Sequence, residues 1–122
     1  MEDATPDPLA DALRELRATY LGEAPERVRE LSASLGRLRL GDMDALRDLQ
    51  LYFHRLAGSG GSYGFPDITD CSRSAEHAVQ RLVSSGRTVE RADLIVLDQY
   101  VLDLAGAFAA AQRDFDEGRI KD

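Results

Sequence analysis

Lysine is almost missing from this chain: the penultimate residue, Lys121, is the only one. Phosphate-cradling loops follow a strand and, in the P-loop pattern, end in Gly-Lys-Ser/Thr, so ATP binding and kinase activity are not expected. Cysteine is equally sparse. Cys71 stands alone, which excludes an intrachain disulfide and fits a reducing compartment. Two histidines and one cysteine do not supply the three or four ligands of a zinc site, so no metal or cofactor is expected on this chain. No unbroken run approaches the ~18 apolar residues of a bilayer span. The opening Met1-Glu2-Asp3-Ala4-Thr5-Pro6 lacks the positive cluster and apolar core of a signal peptide. Basic residues number 15 against 22 acidic ones, for a formal charge of −7, and they form no stripe. Nucleic acid and membrane are therefore not expected partners. A cytoplasmic protein remains, and its acidic surface favours a monomer, although Leu21, Leu40 and Ile95 are apolar residues off the expected core faces.

What the chain does have is helical periodicity. At 122 residues and 43% apolar composition it fits a single folded domain over 1–122, with no repeat or linker. Thr5 as cap and Pro6 open a short first helix with Leu9, Leu13, Leu16 and Tyr20 on one face. Pro25 starts a second, carrying Val28, Leu31, Leu35 and Leu38, and Gly41 suits its left-handed end. Asp42 caps a third, whose stripe is Leu46, Leu49, Phe53 and Leu56, continued weakly by Gly60 and Tyr63. Pro66 starts a fourth, with Ile68, Cys71, Ala75, Ala78 and Leu82, stopped at Ser84-Ser85-Gly86. Thr88 caps the fifth and longest, in which Leu94, Leu97, Val101, Leu104, Phe108, Ala111 and Phe115 alternate steps of three and four. Short connections force sequential neighbours to run antiparallel. The expected fold is all-α: an antiparallel four-helix bundle with a short N-terminal helix capping one end.

One stretch breaks the helical rules, Tyr52-Phe53-His54-Arg55-Leu56-Ala57-Gly58-Ser59-Gly60-Gly61-Ser62-Tyr63-Gly64. Each interior glycine costs a helix about 0.5 to 1 kcal/mol relative to alanine. Gly58 and Gly61 lie four and seven residues after His54, on its face, so the imidazole stands on a platform nearly free of side chains. Phe53 and Leu56 point inward and His54 lies about 100° away, toward solvent. His77, near Arg73, Ser74 and Arg81 on an outer helix face, has no such surroundings. Ser59 and Ser62 lack an evident base and oxyanion hole for nucleophilic work.

His54-x-Leu56-x-Gly58-Ser59, followed by Gly64, Ile68, Cys71 and Glu76, closely resembles the motif of the histidine phosphotransfer (HPt) domain over residues 54–76. HPt domains are four-helix bundles that shuttle phosphoryl groups in two-component phosphorelays, as carriers and not enzymes. The resemblance implies that His54 is the phosphorylated nucleophile, that Gly58 admits a partner's receiver domain, and that Gly64 ends the site helix. It implies as partners the receiver domains of response regulators or hybrid histidine kinases, with Mg2+ on the receiver only. The chain departs from the family at Ala57, where a lysine is usual, and at Gly60, where serine is common and glycine makes the platform barer. Arg55 projects about 100° from His54 and does not replace the lysine. One exposed charge is worth about 1 kcal/mol, so transfer is expected to slow by roughly five- to tenfold without being abolished. The expected docking patch is Gln50, Leu51, Ala57, Gly58 and Gly61, with Gln50 holding the inner imidazole nitrogen. The alternatives are a module that docks on receivers without carrying phosphate, which the missing lysine favours, and a structural bundle with an incidental histidine.

Overall fold

A computed structural model describes residues 7–120, in five helices: α1 (Pro8–Gly22), α2 (Ala24–Arg39), α3 (Ala45–Ser62), α4 (Pro66–Ser85) and α5 (Arg91–Asp116). Thr5 and Pro6 lie outside the described residues. The observed start of α1 is Pro8, and the Asp7 carboxylate accepts from the backbone N–H groups of Leu9 and Ala10. The polar cap and the proline at the first helical position are thus both there, one motif later than expected.

Helices α2 to α5 form the antiparallel bundle. α3 packs on α2 and α4, α5 packs on the same two from the other side, and α3 and α5 lie on the diagonal. Most of the predicted core is buried: Leu31, Leu35 and Leu38 from α2, Leu46, Leu49, Phe53 and Leu56 from α3, Ile68, Ala75, Ala78 and Leu82 from α4, and Leu97, Val101, Leu104 and Phe108 from α5. Val28, Cys71, Leu94, Ala111 and Phe115 are half-buried at its margin, and Val79, outside the expected stripe, is fully buried. Burying side chains of this size stabilises by about 1.5 to 3 kcal/mol each. By length and composition α5 would also suffice to cross a bilayer. Asp98 and Asp103 interrupt it, however, and one of its faces is buried in the bundle.

Several local expectations need correction. Leu9 and Leu16 are exposed, while Arg17 and Leu21 are buried, so α1 is turned from its leucine stripe. The side of α1 that faces the bundle carries Leu21 and Tyr20 together with Arg17, whose Nε–H donates to the Tyr63 carbonyl at 2.9 Å. Asp42 does not cap α3; its Oδ1 accepts from the Asp44 N–H inside the preceding turn. Thr88 does not cap α5 either. Glu90 and Asp93 form a capping box there, with Asp93 also paired to Arg87 at 2.7 Å. That guanidinium and the Glu90 N–H hold the Asp93 carboxyl down at about 2. Gly41 and Gly86 do take the left-handed conformations that end α2 and α4.

Candidate functional site

The site sits on α3, where it faces α4. α3 ends at Ser62, and just beyond its cap Tyr63 the chain turns at Gly64, whose φ of +82° is open to glycine at little cost. The Phe65 N–H reaches back to the Gly60 carbonyl at 2.7 Å, which closes the helix end. α1 lies across this end. Besides the Arg17 bond, the Tyr20 hydroxyl hydrogen-bonds Ser59 Oγ at 2.9 Å, and the Tyr20 ring stacks on Tyr63 with centroids 4.7 Å apart. Burial pushes the Tyr20 phenol above its usual range. The glycine-rich stretch is therefore anchored from beneath by the N-terminal helix.

His54 is exposed, with 70% of its side chain accessible, whereas Glu76 on α4 retains only 17%. The two meet at 2.8 Å between Nδ1 and Oε2. A carboxylate can only accept, so Nδ1 carries the proton and donates it. In the neutral ring the nitrogen without a proton is then Nε2. Here a carboxylate in the neighbouring helix selects the tautomer and orients the ring. Gln50 does not do this, contrary to expectation; Nδ1 is taken by Glu76. A side chain twenty-two residues away in sequence was visible as part of the motif, but helical spacing along α3 alone gives no way to place it on the imidazole.

The glycines divide by purpose. A Cβ on Gly58 would meet nothing within 4 Å, so no packing inside the chain requires glycine there. Gly60 is the opposite case. It is buried against the start of α4, and a Cβ would come within 2.8 Å of Thr69 Oγ1 and 3.0 Å of the Thr69 backbone nitrogen. It belongs to the α3–α4 contact, and the idea that it lays the platform bare is corrected. Gly61 is exposed, with Thr69 Oγ1 at 3.4 Å from a built Cβ.

Of the expected docking patch, Leu51 (44% exposed), Gly58 and Gly61 lie at the surface and Gln50 is half-buried. Ala57 is buried at 6% and leaves the patch. The cause is the close α3–α4 approach, in which the Thr69 hydroxyl donates to the Ala57 carbonyl at 2.9 Å. Arg55 lines a small cleft with Arg27, Glu30 and Tyr52 between α2 and α3, on the side of α3 away from Glu76. Among the described residues, no three His, Cys, Asp or Glu side chains gather as a metal site.

The family model of the Hpt domain matches residues 15–113. That span runs from within α1 to near the end of α5 and includes His54 and Glu76. No curated protein and no solved structure matches the chain.

Proposed function

The chain belongs to the Hpt domain family, the histidine phosphotransfer modules of phosphorelays, and from that premise we propose that His54 is the residue that takes up and returns the phosphoryl group. The observation that carries this reading is the Glu76 contact, which in the neutral ring puts the proton on Nδ1 and the lone pair on the exposed Nε2. Nε2 attacks the phosphorus of a receiver's aspartyl phosphate in line. The new N–P bond forms as the acyl phosphate P–O bond breaks, and the aspartate leaves as a free carboxylate. The imidazole gains positive charge while Nδ1 keeps its proton. The Glu76 carboxylate, already hydrogen-bonded to Nδ1–H, stabilises that charge. Return of the phosphoryl group to an aspartate reverses each step.

The rest of the machinery comes from the partner. Phosphoryl transfer is mainly positioning and charge neutralisation, and in this reading the receiver brings the aspartate, its Mg2+ and a cation. The chain supplies a nucleophile and a surface, works without ATP, and acts in the cytoplasm where receiver domains are found. The surface is Gly58, Gly61 and Leu51, and Gly58 accepts a helix penalty of about 1 kcal/mol for which no contact within the chain gives a reason. A second reading, a docking module that never carries phosphate, is favoured by Ala57 alone. Incubation with a panel of phosphorylated receivers and magnesium separates the two. Acid-labile label on the wild-type chain, absent from His54→Gln, supports the carrier. Receiver binding without any label would establish the docking module.

A further inference from the structure

A helix on the outside of a four-helix bundle needs one apolar stripe, facing in. α5 has two. The inward stripe is the core row already described. On the opposite side Ile95, Gln99, Leu102, Gly106, Ala109 and Arg113 repeat in alternating steps of four and three, the spacing of a helix-packing seam. Every one of them is exposed, and Ile95 and Leu102 leave 62% and 60% of their surface in water. Beside the seam, where α5 meets the start of α2, runs a mostly apolar groove lined by Pro25, Val28, Ala105, Phe108 and Ala109.

We propose that this face of α5 is an interface between two copies of the chain, related by a two-fold axis with the two α5 helices antiparallel. The seam is self-complementary in that arrangement. Its large side chains, Ile95 and Leu102, occupy the N-terminal half, and its small ones, Gly106 and Ala109, together with the groove, occupy the C-terminal half. An antiparallel pair with Leu102 over the partner's Gly106 also sets Gln99 beside the partner's Ala109 and Ile95 along the aliphatic stem of the partner's Arg113. The charges agree. Exposed Arg91 at the head of one α5 comes beside the partner's Asp116 at the foot of the other, and the two-fold repeats the pair. Each copy carries a formal charge of −7, but at physiological salt that repulsion is screened beyond about 8 Å. The acidic surface therefore does not decide for a monomer. Since α5 lies diagonally across the bundle from α3, the dimer leaves both His54 faces free.

Sedimentation velocity over a micromolar to millimolar range, at physiological salt, tests this. The wild-type chain should move from the 13.4 kDa monomer to twice that mass. Leu102→Glu should weaken the association by roughly a hundredfold, since each of two buried leucines is lost, with helix content unchanged by circular dichroism. Arg91→Glu should weaken it several-fold, and adding Asp116→Arg should restore it. Phosphoryl acceptance by His54 should be the same in Leu102→Glu and wild type. A wild-type chain that stays monomeric throughout overturns the proposal, as does a dimer indifferent to Leu102→Glu. Failure of the charge swap to rescue overturns the antiparallel register.

Discussion

Removing the Glu76 carboxylate tests the logic of the site without touching the nucleophile. In the structure Nδ1 of His54 donates to Glu76 at 2.8 Å, and in the proposed transfer this bond would serve two ends: it holds the neutral ring's proton on Nδ1, and it stabilises the charge that develops on the ring as the N–P bond forms. A hydrogen bond to a charged group is worth about 1.5 to 3 kcal/mol, and the 70% exposure of the imidazole reduces that to about 1 kcal/mol. Glu76→Ala should therefore slow acceptance from a phosphorylated receiver by roughly five- to tenfold. Glu76→Gln keeps an acceptor oxygen and loses the charge, so it should fall between alanine and wild type. Single-turnover transfer kinetics give the rates, and the ring 15N shifts of His54 give the tautomer. Wild-type kinetics in Glu76→Ala, with Nδ1 still protonated, would refute the argument.

Five further outcomes are expected from the same structure. Gly58→Ala should stabilise the fold by about 0.5 to 1 kcal/mol, because its Cβ meets nothing within 4 Å, while Gly58→Trp should block transfer with the fold intact; denaturant melts and transfer assays read both. Gly60→Ala should instead destabilise by about 1 to 3 kcal/mol, since its Cβ would press on Thr69, and a neutral result in the melt would contradict the packing assigned to it. Ser72 is fully buried and its Oγ has no partner among the described residues; Ser72→Ala should raise stability by about 1 kcal/mol in a urea melt, and a loss of stability would contradict this reasoning. Asp93, held at about 2 against a usual 3.8, adds stability that is full above pH 3.8 and disappears as pH falls toward 2, so Asp93→Asn should flatten the acid melting curve in that window.

The bundle was legible because its core repeats obey helical spacing with few exceptions. From Leu46 to Leu56, and from Leu97 to Phe108, every apolar step of three or four falls on a buried residue. α1 misled because its obvious leucines, Leu9 and Leu16, are not what docks it. Arg17, Tyr20 and Leu21 are, the first by a bond to a carbonyl forty-six residues on, and periodicity carries no record of such a contact. Caps were misplaced for a related reason: Asp42 and Thr88 are good cap residues lying in the turn before the helix, and turn geometry passed the role onward to Glu90 in the case of α5. At the site, the exposed histidine and the glycine at position 58 could be read from one helix. The partner Glu76, the burial of Ala57 and the packing role of Gly60 depend on how closely α4 approaches α3, which one strip of sequence does not contain.

The account rests on one atom, Nε2 of His54. Its most direct test is to load the 15N-labelled chain from a phosphorylated receiver and locate the phosphoryl group by 31P–15N and long-range 1H–15N correlation. The account predicts a phosphoryl group on Nε2, with Nδ1 still bearing the proton shared with Glu76. Phosphate on Nδ1, on another side chain, or nowhere in a chain that binds the receiver would contradict it.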